Sequence, residues 1–280
     1  MKIVLAKEIG FCSGVKNSVN LTKTVLKTDK KRIYMLGPIV HNLQVIEMLQ
    51  KEGVKIVDSI EEIPEGSTVI TRAHGVSPSI LQEALTKKLN IIDTTCPYVK
   101  KAQEIAKYLN EEDYLVIIFG DKRHPEISNM LDIIHNNALM VDNIAEIREI
   151  KFQKKIGLLS QTTKNFSNFR ELSSNLLDKT EELRIFNTIC KATIKRQKNA
   201  RELAKVVDIM LVIGGKESAN TSRLVEICRQ QGVKTYHLET KGQLEYTWFH
   251  PEDRVGITSG TSTPDWSINE IVEQLEKWQV

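Results

Sequence analysis

Three stretches of this chain repeat one pattern, a short apolar run followed by a cysteine and an amphipathic helix, and this constrains the fold more than any other feature. They read KIVLAKEIGFCSGVKNSVNLTKTVL, NIIDTTCPYVKKAQEIAKYL and RIFNTICKATIKRQKNARELAKVV. Cys96 follows Cys12 by 84 residues, Cys190 follows Cys96 by 94, and 90 residues remain after Cys190. Val15, Val19 and Leu26 give the first helix its apolar face. Val99, Ala102, Ala106 and Leu109 do so for the second, and Ala200, Leu203, Ala204 and Val207 for the third. Cys228, in RLVEICRQQG, occupies no equivalent position.

Two further elements recur between the cysteines. RIYMLGPIVHN, YLVIIFGDKRHPE and IMLVIGGKESANTSRL each run from an apolar strand through glycine to a polar residue at a helix start. Those residues, His41, His124 and Asn220, stand 29, 28 and 30 positions after the preceding cysteine. STVITRAHGVSP, KKIGLLSQTT and DRVGITSGTSTPD are strands that end at His74, Thr162 and Ser262. Strand ends that lead into helix starts are where open α/β sheets bind ligands, because helix N-termini present unpaired N–H groups and a positive dipole end. The pattern predicts an α/β fold of three similar small units, 13–96, 97–190 and 191–280. The strand in 1–12 pairs with the last unit and closes a pseudo-threefold, trefoil-like ring around a central site, with a C-terminal amphipathic helix over part of it.

Composition narrows the function. The 280 residues are 41% hydrophobic, enough for real cores, and the formal charge of +3 is too weak and too evenly spread to argue for nucleic acid. The basic run from Lys195 to Arg201, with Trp248, Trp266 and Trp278 elsewhere, reads as a solvated helix face and a docking surface for an acidic electron donor. No stretch reaches the roughly 18 apolar residues of a membrane helix, and MKIVLAKEIGFC reads as a strand, so a soluble cytoplasmic protein is expected.

The four cysteines form no CxxC pair, which argues against a zinc knuckle, and taken singly they read as small buried hydrophobes. Three thiolates brought to one point by the repeat would instead select a soft metal, and iron–sulfur clusters are held this way. A cubane with three protein sulfurs leaves one iron open to substrate. Zinc held by the same cysteines plus a histidine is the competing use of the geometry.

Taken together, FCSGV, LGPIVHN, TRAHGVSP, DTTCPYV, HPE, SQTT, CKATIKRQ, ESANTSRL and SGTSTPD resemble the IspH (LytB) family over nearly the whole chain. The resemblance implies reductive removal of the hydroxyl from an allylic diphosphate, the last step of the methylerythritol phosphate route to isoprenoids. It implies one oxygen-sensitive [4Fe-4S] cluster on Cys12, Cys96 and Cys190, with one iron not bound by cysteine. Reduced ferredoxin or flavodoxin is the expected electron donor. Glu126 would give the proton, with His124 and Thr162 at the substrate hydroxyl. His41, His74, Ser218, Ala219, Asn220 and Ser262 would hold the diphosphate. Where the family commonly reads Ser-Ser-Asn this chain has Ser218, Ala219 and Asn220, so one hydroxyl donor is missing.

Each of these residues also has a plainer role open to it: helix-end carboxylate for Glu126, caps or turns for the Ser and Asn residues, satisfied histidines for His41 and His74. A noncatalytic iron–sulfur or zinc regulator that binds a phosphorylated metabolite is the alternative to an enzyme. HPE beside the cysteine set favours the enzyme, since a sensor needs no proton donor.

Overall fold

The computed structural model describes residues 1–29 and 32–278, so the last two residues of the 191–280 unit lie outside the described residues. The chain divides into two compact units. One comprises Met1–Lys16, Val40–Met48 and Lys191–Val280, the other Asn17–Ile39 and Leu49–Cys190.

The chain opens with β1 (Lys2–Leu5) and α1 (Ser13–Thr28), then runs through β2 (Ile33–Leu36), α2 (Leu43–Lys51), β3 (Lys55–Val57), β4 (Thr68–Ile70), α3 (Pro78–Thr86) and β5 (Asn90–Ile92). After Cys96 come α4 (Pro97–Glu111), β6 (Leu115–Phe119), α5 (Pro125–Ile133), β7 (Ala138–Val141), α6 (Ile144–Arg148), β8 (Gln153–Ser160), α7 (Phe166–Asn175) and β9 (Thr180–Ile185). After Cys190 come α8 (Lys191–Ala204), β10 (Ile209–Ile213), α9 (Ala219–Gln230), β11 (Lys234–Leu238), β12 (Arg254–Ser259) and α10 (Asp265–Lys277).

The strands form three four-stranded sheets, ordered β3-β2-β4-β5, β7-β6-β8-β9 and β11-β10-β12-β1, and every pairing is parallel. The first two sheets lie in the second unit and the third in the first. Parallel sheets are buried on both faces, which explains why β6 and β10 read as unbroken apolar runs. The expected pairing of the N-terminal strand is present: β1 lies beside β12, Lys2 opposite Arg254.

Each cysteine marks a change of sheet. β5 belongs to the first sheet, and α4, which follows Cys96, packs on β6 and β8 of the second. The contact is close: a methyl group on Gly157 of β8 would fall 2.6 Å from Leu109. Leu109 itself is fully buried, so its truncation to Ala would cost about 2–5 kcal/mol.

In all three sheets the strand order reverses at one place, between β2 and β4, between β6 and β8, and between β10 and β12. Such switch points open a crevice at the carboxyl ends of the strands, where α/β sheets take ligands.

Candidate active site

Backbone hydrogen bonds fix how the three copies correspond. The cysteine N–H groups donate to strand-end carbonyls in the same way each time, Cys12 to Thr261, Cys96 to Ala73 and Cys190 to Thr162, each at 3.0 Å. The glycines that end β2, β6 and β10 also match: Gly37 donates to Val57, Gly120 to Val141 and Gly214 to Leu238, at 2.7, 3.0 and 2.8 Å.

These bonds correct two correspondences expected from sequence. Thr162 stands level with Ala73 and Thr261, so it is Thr163 that matches His74 and Ser262. Counting four residues from the strand-end glycines puts Ser218, not Asn220, level with His41 and His124. Ser218 and His124 accordingly play one local role. Each caps its helix with its own side chain, His124 Nδ1 accepting from Glu126 N–H at 3.2 Å and Ser218 Oγ from Thr221 N–H at 3.3 Å. Glu126 and Asn220 then become equivalent, each the second residue of its helix.

In the second unit, the β6–β8 switch point holds Glu126, 1% exposed, and Thr162 donates to its carboxylate twice. The backbone N–H reaches Oε1 at 2.8 Å and Oγ1 reaches Oε2 at 2.7 Å. Both bonds favour the charged carboxylate, but burial outweighs them and raises the group from 4.5 to about 7. His124 is edge-on to His74 with ring centroids 5.3 Å apart, and the His74 carbonyl accepts from Asn129 Nδ2 at 3.3 Å. His74, His124, Glu126 and Thr162 are thus brought together in this unit.

The first unit holds Cys12, His41, Ser218, Ala219, Asn220 and Ser262. Asn220 Nδ2 and Oδ1 and Ser262 Oγ are buried and meet no hydrogen-bond partner among the described residues. Orphaned buried polar atoms are costly, and a ligand that supplies the missing partners removes that cost. Gly215 lies so close to the His41 carbonyl that only glycine fits there. The sequence reading placed Arg196 on the solvated face of the run from Lys195 to Arg201, and the structure corrects this by burying it. It is 2% exposed and ties the loop before Cys12 to the end of β12, with Nη2 donating to the Gly10 carbonyl at 2.5 Å and Nη1 to that of Ser259 at 2.9 Å. A basic residue at the apolar inner face of an amphipathic helix was the available signal.

The cysteines divide by environment. Cys12, Cys96 and Cys190 are half-buried, whereas Cys228 is fully buried in the α8–α9 core, where desolvation pushes its thiol up to about 12.

A family model described as LytB protein matches residues 3–276. The chain belongs to the LytB family. Among its relatives, the 4-hydroxy-3-methylbut-2-enyl diphosphate reductase of Pelobacter propionicus is 42% identical over 275 residues, which cover 98% of each chain. That of Geotalea uraniireducens is 43% identical over 277 residues, 99% of this chain and 98% of the relative. The solved structure of the E-1-hydroxy-2-methyl-but-2-enyl-4-diphosphate reductase from Plasmodium falciparum superposes with a TM-score of 0.93 at 29% identity, over 98% of this chain and 87% of that one. A second solved structure, of (E)-4-hydroxy-3-methyl-but-2-enyl diphosphate reductase, the terminal enzyme of the non-mevalonate pathway, gives 0.72 at 37% identity over 99% of both chains. Among the described residues of this LytB chain, no helix is long and apolar enough to cross a membrane.

Proposed function

We propose that this LytB chain reduces (E)-4-hydroxy-3-methylbut-2-enyl diphosphate to isopentenyl and dimethylallyl diphosphate, working in the cytoplasm. The observation that carries the reading is Glu126, a carboxyl group buried at a ligand crevice and held near pH 7 in its titration. Loss of an allylic hydroxyl as water consumes two electrons and two protons, and a carboxyl group that is still substantially protonated at neutral pH can hand one proton to the departing oxygen. Thr162 holds that carboxyl by two hydrogen bonds and His124 sets the helix start that carries it. A metabolite sensor has no use for a proton donor kept out of water in this way.

Cys12, Cys96 and Cys190 suit an iron–sulfur cluster. All three sit at the same strand-to-helix step with the backbone N–H already committed, and the thiols are not sunk in a core as Cys228 is. The Val15 N–H also lies 3.4 Å from Cys12 Sγ, which favours the thiolate. When bound, the cluster supplies the electrons and a Lewis-acidic iron. The diphosphate falls to His41, His74, Ser218, Asn220 and Ser262, with Ala219 offering only its backbone. Exposed Lys191, Lys195, Lys198 and Lys205 suit an acidic donor such as reduced ferredoxin or flavodoxin.

Anaerobic purification followed by iron and sulfide analysis and turnover with a chemical reductant tests the reading. Brown protein that forms both five-carbon diphosphates is expected. Colourless zinc protein that binds the diphosphate alcohol without converting it would establish the regulator instead.

A further inference from the structure

The β2–β4 switch point carries a cation that the diphosphate contacts above do not include. Arg72 follows β4 two residues before His74, and its guanidinium crosses the crevice to lie against Gly37, the residue that ends β2. Nη1 is 3.4 Å from where a methyl group on Gly37 would stand, and Gly37 has φ +67. Arg72 is half-buried, its Nε is shut away from solvent without an acceptor, and its guanidinium makes no hydrogen bond or ion pair with any described residue. Desolvation with no compensating partner lowers its pKa.

The equivalent residue of the next copy shows what this position does when its role is structural. Gln161 likewise lies over its strand-end glycine, 3.4 Å from where a methyl group on Gly120 would stand. It closes the loop by accepting from Asp121 N–H and donating to Thr163 Oγ1, both at 2.9 Å. In the Arg72 copy the residue at the place of Asp121 is Pro38, which has no N–H, and His74 stands where Thr163 does. The loop-closing bond to that N–H is therefore not available, and the Arg72 guanidinium has five donors and no acceptor among the described residues. A guanidinium so placed is completed by an anion, most effectively by a bidentate phosphate.

We infer that Arg72 is a further anion-binding residue and takes a phosphate of the substrate's diphosphate group. The inference rests on the proposed reductase activity for its substrate, but the site itself calls only for a phosphate-class anion. It adds a permanent charge to a set of contacts that otherwise consists of hydroxyl, amide and imidazole groups.

The test uses the cluster-loaded enzyme and its Arg72→Gln and Arg72→Lys variants. KM and kcat for the diphosphate alcohol and the inhibition constant of inorganic diphosphate are measured at two salt concentrations, with iron content and melting temperature alongside. Arg72→Gln should raise KM and the inhibition constant about tenfold or more and flatten their salt dependence. Iron content, melting temperature and kcat should hold. Arg72→Lys should fall between the two, since it keeps the charge and loses the fork. An inhibition constant unchanged in Arg72→Gln would overturn the inference, as would a loss confined to melting temperature. If the wild type does not turn over at all, calorimetric binding of inorganic diphosphate still decides Arg72, so failure of the activity and failure of the site are told apart.

Discussion

Glu126 and Asn220 occupy the same place in two copies of one motif, the second residue of a helix that starts at a sheet's switch point, and they differ in how the protein treats them. Glu126 is completed from within: Thr162 supplies both donors, and burial sets the titration. The Asn220 side chain finds no partner among the described residues, nor does Ser262 Oγ across the same crevice. One geometry thus holds a carboxyl group satisfied by the protein in one copy and an amide with no partner among the described residues in another, which suits the proton-donor and ligand-binding roles proposed for them. Equivalent position does not set the chemistry: Thr162 donates twice to Glu126, whereas Thr261, level with Thr162, gives the Asn220 side chain no hydrogen bond.

The largest effect should come from the frame that both sites share. Replacing Cys12, Cys96 or Cys190 by Ser exchanges a soft thiolate for a hard oxygen, and each variant should lose most of its iron and nearly all activity, while Cys228→Ser keeps both. Iron analysis of the four variants checks this, and an essential Cys228 would break the three-copy correspondence. Next comes the contrast itself. Glu126→Gln should lower kcat by roughly 10² or more with KM little changed. Asn220→Asp should do the reverse, raising KM about tenfold by setting a carboxylate against the diphosphate with a smaller change in kcat. Steady-state kinetics in which both variants move the same constant would erase the distinction.

The pH dependence sharpens it. A donor that must be protonated loses activity as pH rises through about 7, and Glu126→Gln should lack that limb. Thr162→Val removes a hydrogen bond that stabilises the carboxylate, so the limb should move to higher pH. The sign for stability is the same. With its folded value raised above the ordinary 4.5, Glu126 stabilises the fold fully below that pH, and the contribution is lost as pH climbs toward about 7. Thermal melts across this range, with Glu126→Gln as the flat reference, measure it. The smallest effect belongs to Ala219→Ser, which restores a hydroxyl beside Asn220 and should lower KM by a few-fold at most.

Much of this was legible in the sequence because the repeat carries both periodicity and chemistry. The cysteine spacing and the helical faces at Val99–Leu109 and Ala200–Ala204 carried the order of elements, although α8 stops before Val207, which was expected to belong to it, and KIVLA carried the pairing of β1. Asn220 was matched by its distance from Cys190 and Thr162 by its place at a strand end, and neither measure registers that the turns joining strand to helix are not identical. α2 starts one residue later than its counterparts, with Asn42 Oδ1 accepting from Val45 N–H at 3.2 Å, and only hydrogen bonds register such a step. Arg72 escaped notice because TRAHG points attention to its histidine. That the arginine's guanidinium meets no acceptor among the described residues depends on Pro38, more than thirty residues earlier, and on a sheet that sequence spacing alone cannot assemble.

The pairing of β1 with β12 also bears on how the protein is made. The ribosome delivers Lys2 first and Arg254 some 250 residues later, yet the two lie side by side. The sheets built from residues 33–92 and 115–185 can form while synthesis continues, each from strands close in sequence, but the third cannot seat β1 until β12 has been made. Cys12, whose N–H is held by the carbonyl of Thr261, is therefore the first of the three cysteines to be synthesised and the last to be seated.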